Sequence, residues 1–171
     1  MNWRLHRASE ADAAALSLVA GATFLQTFAG ILEGTDIVAH VARNSSADAF
    51  ARYVAAGAIA TLAEAEAGGA PIGYTLLTVP DLPVAPLAGD IELKRIYVLA
   101  GAYGSGLGPA LMAHAIEDAR AAGHARMLLG VYGENHRARR FYEKQGFAVV
   151  GTRRFLIGAT LHDDLIYGRG L

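Results

Sequence analysis

Apolar and polar positions follow two rhythms along the 171-residue chain. In "NWRLHR", Trp3 and Leu5 fall on one face and Arg4 and His6 on the other, the period-two pattern of a strand. Ser9 is placed as a helix cap, with Glu10 and Asp12 in the first turn. Leu16, Val19, Ala20, Phe24 and Phe28 then recur at helical spacing until Gly30 and Gly34 break the pattern. A second helical stretch covers about 36–56, and "RNSSAD" divides it into two candidate pieces. "AIATLAEAEAGGAPIGYTLLTVP" sets strand residues on either side of "AGGAP", a hairpin turn, and stops at Pro80. The following "DLPVAPLAGD" carries further prolines and reads as a loop.

The second half alternates more cleanly. "IELKRIYVL" predicts a strand, and a glycine run with Gly101, Gly104, Gly106 and Gly108 leads into a helix from about Leu107 to Ala122. "RMLLGVY" is a compact strand, and "NHRARRFYEKQGF" is a helix with Asn135 as N-cap and Gly146 as its stop. "AVVGTRRFLIG" and "DDLIYGRG" close the chain as two more strands. Strands alternating with helices after a hairpin predict a single α/β domain over residues 1–171 with a mixed sheet.

Composition narrows the function classes. With 53% hydrophobic and 18% charged residues the chain is built to fold. A net charge of −1 argues against nucleic acid or an anionic membrane as partner. No apolar run is read as approaching the ~18–20 residues that span a bilayer, and the N-terminus has no signal-like apolar region. Without cysteine there is no disulfide, thiolate zinc site or thiol nucleophile. The six histidines show no ligand spacing, so no metal is expected and a cytoplasmic protein is the default.

The glycine run is the first candidate for chemistry. A strand, a glycine turn and a helix start together offer free N–H groups, the positive end of a helix dipole and room for close approach. Pro109 fits the first turn, where no N–H is needed. No Lys-Ser/Thr pair follows Gly108, so this is not a P-loop. The dinucleotide spacing fails too, because Pro109 or Leu111 stands where the third glycine belongs.

"YGSGLG", Tyr103 to Gly108, resembles instead the Q/R-x-x-G-x-G/A loop of the GNAT family of N-acetyltransferases. The family's helix signature, N-x-x-A-x-x-F-Y-x-x-x-G-F, stands complete in Asn135, Ala138, Phe141, Tyr142, Gly146 and Phe147. "IELKRIYV" resembles its fourth strand. "ATFLQTFAG" and "RRFLIGATLHDDLIYGRGL" resemble the branch of PaiA-type spermidine/spermine acetyltransferases, in which an F-x-x-G followed by an acid and an apolar closing strand is typical.

The resemblance implies the GNAT fold, a mixed, mostly antiparallel and strongly twisted sheet flanked by helices, with acetyl-CoA as co-substrate. It implies that Tyr103, Gly104, Ser105, Gly106, Leu107 and Gly108 receive the pyrophosphate, and that the backbone of Ile96, Tyr97 and Val98 bonds the pantetheine arm. Asn135 both caps its helix and contacts the coenzyme, and Lys144, one turn beyond, either reaches a coenzyme phosphate or is a solvated helix lysine. Tyr103 departs from the usual glutamine or arginine, which removes a charge contact. "RARR" at 137–140 and "RRF" at 153–155 read as solvated surface or as contacts to the adenosine 3′-phosphate.

The chemistry needs a group to take a proton from an amine of pKa near ~10.4 and another to give one to a departing thiolate. Tyr142 is the candidate acid, and Glu92 stands where the resemblance puts the base of some members; the alternative is a solvated strand glutamate beside Lys94 and Arg95. Tyr97 could instead line the acceptor site. For the acceptor, Glu33, Asp36, Asp163 and Asp164 are the acids to consider if it is a polyamine. A peptide N-terminus, a small amine such as an amino acid, a non-catalytic coenzyme-binding regulator and a homodimer through the last strands remain open.

Overall fold

A computed structural model describes residues 1–157 and 160–171, and in it the strands fall where the alternating pattern put them. They are β1 (Trp3–Arg7), β2 (Ile59–Ala65), β3 (Pro71–Thr78), β4 (Asp90–Val98), β5 (Arg126–Tyr132), β6 (Ala148–Ile157) and β7 (Thr160–Gly170). The helices among the described residues are α1 (Ala13–Phe28), α2 (Gly34–Asn44), α3 (Ala47–Ala55), α4 (Leu107–Ala121) and α5 (His136–Lys144). The division of the second helical stretch has a local cause: the Ser46 hydroxyl accepts from the Ala49 N–H at 3.1 Å and starts α3 afresh. Gly158 of the expected F-x-x-G, and the side chain of its Phe155, lie outside the described residues.

All seven strands form one open sheet in the order β1-β2-β3-β4-β5-β7-β6. Every pairing is antiparallel except β4 with β5. Successive residues of β2 show how the sheet is covered: Leu62 packs with α1 and α3 residues, and Ala63 with Leu107 and Leu111 of α4. α1 and α3 thus cover one face, and α4 and α5 the other, where Met112, Ile116, Tyr142 and Phe147 meet Leu93, Leu129 and Tyr167.

One expectation is corrected. Glu10–Phe28, with a mean hydropathy of 1.2, is long and apolar enough to cross a membrane by length and composition. Its Leu16, Val19 and Ala20 pack against Phe50, Leu62 and Tyr74, so it serves as a core helix.

β4 and β5 position the site. They pair only where Asp90–Glu92 meets Arg126–Leu128, and beyond that they separate. At the vertex the Arg126 guanidinium donates twice to the Asp90 carboxylate, both at 2.7 Å. The β3–β4 register slips by one residue, so that Leu76 faces Arg95, Leu77 faces Leu93, and Lys94 is the extra residue.

Candidate active site

Past Glu92 the edge of β4 that faced β5 has no strand partner. Its backbone groups open into a groove of about 1120 Å³, lined by Leu93–Val98, the glycine loop and the start of α5. Gly106 caps α4 at φ 83°, and Gly104 has φ 78°; a Cβ on either would meet nothing within 4 Å. Positive φ demands glycine here, and the open space above leaves room for a ligand against the backbone. Leu107 and Gly108 open α4, so their N–H groups have no partner within the helix.

Tyr103, Gly104, Gly106, Leu107 and Gly108 line this groove together with Ile96, Tyr97, Val98, Asn135 and Tyr142. The structure does not bring Ser105 and Lys144 to it. The Ser105 hydroxyl donates to the Ala102 carbonyl at 2.7 Å and its own carbonyl accepts from the Trp3 indole at 3.3 Å, so it braces the loop. Lys144 is exposed at the far end of α5, away from the glycine loop. Asn135 accepts from the Ala138 N–H at 3.1 Å, the cap expected of it.

Tyr103 is tied down on two sides. Its hydroxyl accepts from Gln26 Nε2 at 3.0 Å, and the Arg137 guanidinium lies 3.7 Å from its ring centroid. Arg137 therefore stands at the mouth of the loop and brings a positive charge where Tyr103 itself has none. Only "RARR" as a group was legible beforehand; the stacking selects the residue.

Tyr142 is buried among Phe141, Phe147 and Tyr167, with centroids 5.5–6.2 Å away. Burial, with Tyr97 nearby, pushes its phenol above the ordinary value and keeps it protonated at neutral pH. Burial also raises Tyr97, against the pull of Arg95.

Glu92 is 4% exposed, and its Oε2 accepts from the Asp81 N–H at 2.8 Å, so it is no solvated strand glutamate. It lines a second cavity of about 830 Å³, which shares Lys94, Arg95, Tyr97, Gly130 and Tyr132 with the coenzyme groove. The two cavities therefore meet where β4 and β5 part. Asp36 and Asp164 line this second cavity; Glu33 and Asp163 do not. Asp164 is buried and paired with Arg153 at 3.2 Å; burial raises its carboxyl, and Arg153 opposes the shift. Asp163 is exposed, 3.7 Å from Arg154.

Arg95 went unremarked in the sequence except as a polar neighbour of Glu92. It donates to the Asn44 carbonyl at 2.8 Å and the Ser45 hydroxyl at 3.3 Å, and lies 5.6 Å from the ring centroids of both Phe50 and Tyr53. His40 stacks on Phe24 with centroids 4.2 Å apart. The readable signal was two consecutive polar residues, Lys94 and Arg95, interrupting an alternating strand. Among the described residues no cluster of potential metal ligands occurs.

The Acetyltransferase (GNAT) family model matches residues 28–147, the stretch that carries the glycine loop, both flanking strands and α5. The chain belongs to the GNAT family. Uncharacterized N-acetyltransferases of Mycobacterium tuberculosis and Mycobacterium bovis are 36% identical over 160 residues, covering 94% of this chain and 98% of theirs. The PaiA N-acetyltransferase of Thermoplasma acidophilum, solved with coenzyme A, shares the fold with a TM-score of 0.81 at 22% identity over the full length of both chains. A putative acetyltransferase of Salmonella typhimurium, solved with acetyl-CoA, has a TM-score of 0.70 at 21% identity, covering 99% of this chain and 94% of that one. This GNAT chain is an acetyl-CoA-dependent acyltransferase, and its groove fits the coenzyme: a glycine-lined helix start for phosphate at one end and a free strand edge beside it.

Proposed function

We propose that this enzyme moves the acetyl group of acetyl-CoA to the primary amine of a small molecule by direct attack in a ternary complex. The observation that carries the reading is the meeting of two cavities at the parting of β4 and β5, with Tyr142 on the coenzyme side and Glu92 on the other. The glycine loop, Arg137 and Asn135 hold the phosphates, and the free edge at Ile96, Tyr97 and Val98 bonds the pantetheine arm. Glu92, fixed by the Asp81 N–H, takes the amine proton directly or through a water. Tyr142, kept neutral by burial, donates a proton to the sulfur as the C–S bond breaks.

Asp36 and Asp164 support a polyamine-like acceptor of the kind the PaiA resemblance implies; the arginines on the same wall favour one that also carries negative charge. The second cavity, at about 830 Å³, has the size of a small-molecule site and favours a small amine over a peptide N-terminus. The expected homodimer would use the β6–β7 hairpin, where Leu156 and Leu161 are exposed. The test is Tyr142→Phe, with thiol release and coenzyme binding measured side by side. We expect kcat to fall by about 10²–10⁴-fold with coenzyme affinity held within threefold. Undiminished turnover would remove Tyr142 as the acid, and no turnover of any amine by the native enzyme would leave the non-catalytic binder.

A further inference from the structure

The second cavity carries a charge pattern that a simple polyamine does not match. Arg95 is half-buried there, and its protein acceptors are all uncharged: the Asn44 carbonyl and the Ser45 and Tyr74 hydroxyls. Among the described residues no carboxylate forms an ion pair with Arg95, Lys94 or Arg43, all of which line the cavity. The guanidinium has five donors, and withdrawing it from water without a counter-charge is unfavourable unless a ligand supplies one. The coenzyme phosphates do not, because the glycine loop receives them past the other end of β4, at Gly104–Gly108. His40 reflects the same excess of positive charge: burial, then Arg95 and Arg43, hold its imidazole below the ordinary value.

The negative side of the cavity is separate. Asp164 is engaged with Arg153; Asp36 and Asp81 also line the cavity, and Glu92, the buried one of the three, lies on the same strand as Arg95, placed to face an incoming ammonium group. The extra residue Lys94 brings Glu92 and Arg95 to the same face of β4, although an odd number of positions separates them. Phe24, Phe28, Tyr53 and Leu32 supply an apolar wall around both.

We infer that the acceptor is a free α-amino acid with an apolar side chain, its amine directed to Glu92 and its carboxylate held by the Arg95 guanidinium. This rests on the acetyl-transfer reading above and names the acceptor class within it. A planar guanidinium matches a carboxylate in a two-point hydrogen bond that an amide or a second amine cannot copy.

The test titrates the twenty common α-amino acids, their carboxamides and spermidine into the full chain saturated with coenzyme A. Binding is read by calorimetry, and thiol release from acetyl-CoA is followed in parallel. At least one apolar amino acid should bind and react ten times better than its own carboxamide and than spermidine. Arg95→Gln should bring that ratio to within about twofold, and Arg95→Lys should keep part of it. If either variant fails to hold its fold by circular dichroism, the ratio in the native chain decides alone.

A carboxamide or spermidine equalling the acid overturns the inference and leaves acetyl transfer standing. So does the absence of binding by all twenty acids while another amine reacts. Carboxylate preference in binding with no thiol release keeps the carboxylate-binding role of Arg95 and overturns the amino acid as acceptor together with the transfer reaction. An unchanged ratio in folded Arg95→Gln overturns the role of Arg95.

Discussion

The proposed coenzyme groove and the proposed acceptor cavity share one strand and are made from different material. The groove is built from backbone: two glycines at positive φ, the first turn of α4, and an unpaired stretch of β4. The cavity is built from side chains on α1, α2, β3, β4 and the β6–β7 hairpin. Backbone recognition fixes a ligand common to many proteins, since any sequence that makes the turn makes the site. Side-chain recognition can change one residue at a time, so specificity resides there. The family match ends at residue 147, before the hairpin that walls the acceptor cavity begins.

Four changes test that division. The largest effect should come from Glu92→Gln, with kcat/KM for the best amine down about 10²–10³-fold near neutral pH and coenzyme affinity unchanged. The deficit should shrink as pH approaches the acceptor amine's own pKa, because the free base then forms without help. A pH-independent deficit would mean that Glu92 acts by shape alone.

Asp90→Asn strikes the vertex that both halves share. Losing the doubly hydrogen-bonded pair with Arg126 should lower unfolding free energy by about 1–3 kcal/mol in denaturant titrations. The Arg126 hydrogen bonds hold the Asp90 carboxyl below its ordinary value. The pair's contribution is therefore present above about pH 4 and lost as pH falls through the lower folded value. The gap between native and variant stability should close in acid; a constant gap would exclude the ionised pair as its source.

Gly106→Ala confines the damage to the groove. Forcing alanine to φ 83° should cost about 1–2 kcal/mol of stability, and coenzyme affinity should fall at least tenfold while the pattern of preferred amines is kept. A changed amine preference would show that the two halves are not separable.

Arg137→Ala is the mildest. Coenzyme affinity should weaken about fivefold to tenfold, the scale of one net hydrogen bond at a solvent-open site, and the loss should narrow in high salt. An affinity insensitive to Arg137 would leave Tyr103 as a plain vacancy in the loop.

The same division explains what could be read in advance. The coenzyme half lies in two continuous motifs, so Gly104, Gly106, Gly108, Asn135 and Tyr142 were legible as residues and as an arrangement. Lys144 reads as a phosphate contact or as a solvated lysine because spacing along a helix does not tell which end of it a ligand crosses; its exposed place at the far end of α5 favours the second. The acceptor half depends on long-range contacts: Arg95 bonds Asn44 across 51 positions, and Asp164 lies deep because Arg153 on the neighbouring strand pairs with it. Neither fact has a local signature. Glu92 could be located by its distance from the glycine loop, yet its burial under the 79–89 loop could not, since prolines mark a loop without saying where it folds back.

The extra residue in β4 has one more consequence. A strand has a phase as well as a direction, and Lys94 shifts that phase by half a period. Before it, even-numbered Glu92 faces the second cavity while Ile91 and Leu93 enter the core; after it, odd-numbered Arg95 and Tyr97 face the cavity while Ile96 packs against the core. One slipped position lets a single strand present an acid, a cation and a phenol on its working side and stay oily on the other. Deleting residue 94 would restore regular pleating and exchange the two sides of everything on one flank of it, so a change of one codon here would act as a reversal of the strand.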